Sequence, residues 1–322
     1  MDDKRYLKIF ENQSTYESQK DEVMGMPHVV LIDDTKEIIF VSETNEDNID
    51  YASQPFTLVA LEDGTMDIAM PSGATFMNYS LNDGDWVENT EDIVMEVKAN
   101  DKVKLKGNAI TLICTEYNFF NLSMPFNAEG NIMSLLYSDD FKDKKTIECE
   151  RCFADFFSLK NIVSAKNLIL PATTLTNHCY QNMFNNCKNL TEAPELPATT
   201  LAQSCYYSMF QNCTSLSEAP ELPATTLASG CYSYMFYGCT NLTTAPELHA
   251  TTLMPNCYDS MFKGCSNLNK ITMLATAFSG PTCLQYWVDG VASSGTFIKH
   301  KSVTSLPSGI NGIPNGWTVE NA

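Results

Sequence analysis

Long apolar runs are missing from this sequence. No stretch approaches the roughly 20 residues of a membrane-spanning helix, so membrane insertion is not expected. Positive charge is scarce: 20 Lys and Arg face 39 Asp and Glu, a net charge of −19. A surface of that sign repels phosphate, which argues against nucleic acid as a partner. Histidine is also scarce. His28, His178, His249 and His300 lie far apart and make no metal-ligand spacing. There is no nucleophile elbow, no phosphate-binding loop and no zinc-protease motif. No catalytic residue, metal or cofactor is therefore expected, and the chain reads as non-enzymatic. The opening Met1-Asp2-Asp3-Lys4-Arg5-Tyr6 has no apolar signal core, so folding in a cytoplasm is expected.

What the sequence has in quantity is hydrophobicity and repetition. Hydrophobic residues make up 44% and charged residues 18%, the balance of a folded chain. Between residues 165 and 275 one unit is written four times: LPATTLTNHCYQNMFNNCKNLTEAPE, then three close copies. Their leading leucines are Leu170, Leu196, Leu222 and Leu248, a fixed period of 26 residues. A period of this size marks a solenoid, whose units stack to bury a continuous core.

Within a unit, Cys179, Tyr180, Met183, Phe184 and Cys187 are spaced as one stripe of a helix. That spacing predicts a helix, ended in later units by Gly238 and Gly264. Leu190 and Ala193 supply a short strand, and Pro194, Pro220 and Pro246 interrupt its ladder because proline lacks an amide. The Ala-Thr-Thr-Leu segment reads as a second short ladder. A degenerate leading unit runs from Phe156 to Ala165, with Leu159 where the others carry cysteine. A fading last unit holds Leu274 and Cys283, and Trp287, Phe297 and Trp317 serve the carboxy-terminal end. Atypical ends are what close a stack to water.

The chain before the repeats divides twice. Residues 1–50 hold a helix over Thr15–Met24 and a hairpin of Val29–Ile32 and Ile38–Val41 around Asp33–Lys36, followed by an acidic linker. Residues 51–127 read as an immunoglobulin-like sandwich of about six short strands. Asp63-Gly64 and Asp83-Gly84 set hairpins there, joining Phe56–Leu61 to Met66–Met70 and Asn78–Leu81 to Trp86–Glu88. Further strands are expected at 94–97, 103–106 and 110–113. Residues 128–164 form a junction and leading repeat, 165–290 the solenoid, and 291–322 a cap. The fold class expected is thus α+β and multidomain.

Eight cysteines form two ladders, at 179, 205, 231 and 257 and at 187, 213, 239 and 265. Two turns of helix separate members of one unit, too far for a disulfide, and they read as reduced, small core residues. Cys149 and Cys152 form a lone CxxC without a second pair. The invariant Tyr180, Tyr206, Tyr232 and Tyr258 read as core. The variable positions remain for recognition. Among them Tyr207, Tyr234 and Tyr237 suit stacking on a sugar or anchoring a protein, with Gln181 and Gln211 as neighbouring polar groups.

The Cys-x-x-Leu, Leu-Pro and Met-Phe-x-x-Cys spacing over residues 150–290 resembles the BspA-like leucine-rich repeats of surface proteins from gut and oral anaerobes. The 26-residue unit is longer than that family's commonest one. The resemblance implies a right-handed leucine-rich solenoid used for adhesion or protein binding. Met26–Thr35, Glu129–Tyr137 and Gly312–Trp317 are similar to segments of virion proteins in phages of such anaerobes. That second resemblance implies a fibre or decoration component of a virion. Its amino terminus would bind other virion proteins and its solenoid a host or mucosal glycan or protein, as a monomer or a homo-oligomer. The alternative is a bacterial cell-surface adhesin.

Overall fold

A computed structural model of the protein describes residues 6–10, 28–32, 37–41, 49–71, 74–108 and 120–322. The chain divides into two compact units, Met1–Asp50 and Tyr51–Ala322. The fold is β-rich, about 25% strand and only 5% helix, so among the described residues the α part of the expected α+β class is slight.

In the first unit, strands β2 (His28–Ile32) and β3 (Glu37–Val41) pair antiparallel, with Val29 opposite Phe40 and Leu31 opposite Ile38. This is the hairpin expected from the two apolar runs. An additional strand, β1 (Tyr6–Phe10), lies parallel to β2. The helix expected at Thr15–Met24 and the turn at Asp33–Lys36 lie outside the described residues.

The second unit opens with β4 (Phe56–Ala60), β5 (Gly64–Ile68), β6 (Met77–Leu81), β7 (Ile93–Val97), β8 (Lys102–Gly107), β9 (Phe120–Leu122) and β10 (Phe126–Asn131). Two sheets form. One runs β10-β4-β8-β6 and the other β7-β5-β9. The Asn82-Asp83-Gly84 turn makes its expected hairpin: Asn82 and Asp83 take positive φ, and Tyr79 exchanges backbone hydrogen bonds with Val87. The hairpin expected across Asp63-Gly64 does not form, because β4 and β5 belong to different sheets. The Asp63 carboxylate instead accepts from the Ala99 amide at 3.0 Å and from Lys98, and Gly64 lies against Ser123 and Met124 too closely for a Cβ. The strand expected at 110–113 lies outside the described residues.

The sheet does not stop at residue 127. β10 crosses that position and pairs in parallel with β11 (Ile162–Ser164) and β12 (Leu168–Ile169), which belong to the first repeats. Between them α1 (Ser134–Tyr137) is tied down by Ser134, whose hydroxyl accepts from the Phe56 amide at 2.8 Å and donates to the Leu105 carbonyl.

No α-helix forms in the repeats, where the one helical turn is the 3-10 turn Pro281–Leu284 of the last unit. Residues 178–187 run as consecutive tight turns in which alternate amides point in different directions. Gln181, Met183, Asn185 and Cys187 donate to carbonyls three residues back. His178, Tyr180, Asn182, Phe184 and Asn186 donate to Gln203, Cys205, Tyr207, Met209 and Gln211 of the next unit, at 2.7–2.9 Å. Every fourth residue takes positive φ to allow this: His178, Asn182 and Asn186, then Ser204, Ser208 and Asn212, then Gly230, Tyr234 and Gly238. A four-residue period of turns and a 3.6-residue helix place apolar residues almost alike over nine positions, which is why the spacing suggested a helix. The residues that distinguish the two are the Asn, Ser and Gly at every fourth place, tolerant of left-handed backbone and poor in a helix.

The core positions themselves are as expected. Cys179, Tyr180, Met183, Phe184, Cys187 and Leu190 are all 0% exposed. Identical aromatics sit on one another: Tyr180, Tyr206, Tyr232 and Tyr258 at 5.8–6.2 Å between ring centroids, and Phe184, Phe210, Phe236 and Phe262 at 5.4–5.8 Å. The ladder cysteines are free thiols, and those at 187, 213, 239 and 265 donate to phenylalanine carbonyls at 2.9–3.1 Å. The strands expected around Ala193 and Ala-Thr-Thr-Leu reduce in the earlier units to single parallel bridges, such as Ser164 with Glu192 and Thr174 with Thr200. In the fourth unit the expected ladder forms, β13 (Thr252–Leu253) pairing in parallel with β15 (Ala277–Phe278).

The leading unit stacks as expected but one residue out of step. Phe153 lies on Tyr180 and Phe157 on Phe184, a spacing of 27. Lys160, not Leu159, therefore occupies the cysteine position. Leu159 takes positive φ and stands 73% exposed. At the far end β14 (Lys270–Met273), β16 (Thr296–Lys299) and β17 (Thr318–Asn321) continue in parallel. Trp287 stacks on Tyr258 and donates to the Gly312 carbonyl, while Trp317 donates to the Ala292 carbonyl. The last 32 residues thus cover the end of the core.

Candidate functional site

Because each turn segment turns adjacent pairs of residues outward, 181–182 and 185–186 between the buried 179–180 and 183–184, equivalent side chains of successive units form rows on one face. The row through 181 reads Gln181, Tyr207, Ser233, Asp259, Gln285. The row through 182 reads Asn182, Ser208, Tyr234, Ser260, Tyr286, and the row through 185 reads Asn185, Gln211, Tyr237, Lys263, Asp289. Not every variable position reaches solvent: Ser208, Ser233 and Ser260 are buried.

Three of the expected residues meet. Tyr207 and Tyr234 lie 5.5 Å apart between ring centroids, and Tyr234 and Tyr237 lie 5.9 Å apart. All three are half-buried. Partial burial and the neighbouring Tyr234 push the Tyr207 hydroxyl above its ordinary pKa. Gln211, in the same unit as Tyr207, accepts from the Asn185 amide at 3.3 Å. Gln181 stands apart, bonded to the His178 ring at 2.8 Å.

The row continues through residues that sequence reasoning did not single out. Lys263 lies 3.2 Å from Asp289 and 4.9 Å from the centroid of the Tyr286 ring. Its bond to Asp289 raises its pKa. Asp259 is held above its usual carboxylate range by burial, partly offset by the Ser260 hydroxyl. The 26-residue register contained this information, since Tyr286 echoes Tyr234 and Lys263 echoes Tyr237.

The backbone adds a signal of its own. Tyr234 (φ 57°) and Tyr286 (φ 51°) adopt the left-handed conformation that Asn182, Ser208 and Ser260 adopt in their units. A bulky side chain is disfavoured there by roughly 1–2 kcal/mol, and asparagine tolerates the position best. Two tyrosines at the strained position, both facing outward, are not explained by folding. Residues kept at a stability cost belong more often to binding surfaces than to scaffolds.

Among the described residues no group of three His, Cys, Asp or Glu side chains is placed to hold a metal ion, and no helix is long and apolar enough to cross a membrane. Comparison with models of known families, with curated proteins and with solved structures returns no match for this chain.

Proposed function

We propose that this chain is a non-enzymatic attachment protein whose stacked repeats, a leucine-rich-type solenoid, present the Tyr207–Tyr234–Tyr237 face to a glycan or protein on a cell or mucosal surface. The observation that carries this reading is the strained left-handed backbone at Tyr234, in the centre of an outward aromatic row. Tyrosine rings offer a flat apolar face for the C–H side of a sugar and a hydroxyl for its rim. Gln211, Asn185, Asp259 and Lys263 supply hydrogen-bonding groups alongside. The unbroken amide register between units supports a rigid scaffold, which keeps such a surface preorganised.

The place of the chain follows from the resemblances in its sequence. In this reading it is a virion fibre or decoration component, attached to the particle through residues 1–50, with the two-sheet region as a spacer of immunoglobulin type. The surface-adhesin reading uses the same face and differs only in what carries it.

The test uses the full-length protein on intact cells of gut anaerobes, against a Tyr207→Ala/Tyr237→Ala variant of unchanged circular dichroism. Saturable binding that falls at least tenfold in the variant is expected. Equal binding by both proteins would place recognition elsewhere.

A further inference from the structure

A polar cleft lies in the sheet region, far in sequence from the tyrosine face. It has a volume of about 390 Å³ and is lined by residues of β6, β8, the Asp83–Trp86 turn and the segment after α1. That volume falls within the range of small-molecule sites, about 300–1,000 Å³. Trp86 lines it and is 37% exposed, whereas Trp287 and Trp317 are 0% and 7% exposed. An indole left in solvent forgoes the burial that stabilises the other two.

The groups around the indole hold one another. Lys106 Nζ lies 4.1 Å from the centroid of the Trp86 ring and 2.8 Å from Asp139 Oδ1. The Lys106 side chain is only 11% exposed, so this cation–π contact is partly desolvated and fixes the ring. Lys104 pairs with Asp83 and donates to Gln54 Oε1. Lys142 also lines the cleft. The charged residues of the lining are Lys104 and Lys142 with Asp83 and Asp139. Lys104 is paired with Asp83, and Asp139 with Lys106 beside the indole, which leaves Lys142 as the lining cation with no ion pair among the described residues.

We propose that this cleft binds an acidic saccharide, a sugar ring bearing a carboxylate. The ring's C–H face would lie on Trp86, its hydroxyls would meet Asp83 and Lys104, and its carboxylate the surplus cation of Lys142. A neutral sugar would lack the last contact, and a nucleic acid would meet the net negative charge of the whole. The site is independent of the repeat face, and either can fail without the other.

Isothermal titration calorimetry of the full-length protein with digalacturonate, 3′-sialyllactose and lactose tests this. At least one acidic probe should bind saturably, and at least fivefold more tightly than lactose. Trp86→Ala should weaken that binding at least tenfold, Trp86→Phe should recover part of it, and Lys142→Glu should weaken it at least fivefold. Lys142 is exposed, so Lys142→Glu should keep the wild-type melting curve. Trp86→Ala loses the contact with Lys106 and should melt somewhat lower, so its binding is read below its own melting transition and against Trp86→Phe. Tyr237→Ala should bind the same probe as the wild type does. No saturable binding by either acidic probe, equal affinity for lactose, or an unaffected Trp86→Ala variant would each overturn the proposal.

Discussion

The sheets of residues 56–131 and the stacked units of residues 150–290 bury their apolar side chains to a similar degree, yet they satisfy their backbones by different rules. In β4, β8 and β10, amides pair between antiparallel strands distant in sequence, and each strand contributes a different set of side chains to the core. In the repeats, half the amides of each turn segment close a local turn and the other half reach the next unit. The same residue type then recurs directly above itself. A sheet core is a mosaic, in which one site's chemistry says little of its neighbour's. A repeat core is a column, in which each property of one residue is multiplied along the stack.

The thiols make that multiplication measurable. Burial pushes Cys187, Cys205, Cys257 and Cys265 up to about 12 from an ordinary 9.0. Burial likewise raises Cys179, Cys213, Cys231 and Cys239 well above it. For a group whose folded pKa is raised, stability is intact below the unfolded value and falls as the unfolded chain ionises above it. Each such thiol removes roughly 1.4 kcal/mol per pH unit between about pH 9 and 12, and four together remove roughly 5. The strands β4 to β10 contain no cysteine. Raising the pH from 8 to 11 should therefore unfold the repeats while the sheets persist, as read by hydrogen exchange resolved by peptide. Coincident loss of both regions would erase the distinction.

The aromatic columns give the next largest effect. Phe210 stacks on Phe184 at 5.4 Å and on Phe236 at 5.7 Å, and is fully buried. Phe56 touches Phe120, Phe156 and Phe157 at mixed angles and is equally buried. Either residue changed to Ala should cost about 3–5 kcal/mol in denaturant unfolding. The two should differ in reach: Phe210→Ala should lower hydrogen-exchange protection in the units of Phe184 and Phe236, and Phe56→Ala should do so in β4, β8 and β10.

The same contrast explains which parts of the structure the sequence revealed. A column announces itself, because repetition at 26 residues identified the stacking, the core positions and the candidate tyrosines without any knowledge of backbone geometry. What repetition does not carry is the dihedral angle. Met183 and Phe184 are buried in a helix or in a chain of turns alike, and only Asn182, Asn186 and Gly238 betrayed the turns. In the mosaic, local signals were read correctly at Asp83-Gly84 and wrongly at Asp63-Gly64. The difference lay in partners far along the chain, Ala99 and Ser123, which no local motif displays. The Trp86 cleft is hidden for that reason: Trp86, Lys106 and Asp139 come together only through pairing of β6 with β8 and the position of α1.

One column carries a flaw. The Tyr180 hydroxyl is buried without a hydrogen-bond partner, and the unit before it has Phe153 in the corresponding place. Leaving such a group unpaired costs about 1–3 kcal/mol. Tyr180→Phe should therefore raise stability by about 1 kcal/mol in denaturant unfolding. A loss on substitution would mean that the hydroxyl has a role the column does not reveal.

The smallest effect is the one that separates scaffold from surface. Tyr234 has two ring neighbours, Tyr207 and Tyr237, while Tyr237 has one, Tyr234. If contacts alone mattered, Tyr234→Asn would cost more stability than Tyr237→Asn, since each aromatic pair contributes about 0.5–1.5 kcal/mol. But Tyr234 stands at positive φ and Tyr237 does not. Asparagine at 234 releases roughly 1 kcal/mol of backbone strain, so the order should reverse and Tyr234→Asn should be the milder change in thermal unfolding. Both variants should still lose binding to cells. That pair of results, stability kept or gained with binding lost, would mark Tyr234 as kept for the proposed ligand, and binding unchanged in Tyr234→Asn would return it to the scaffold.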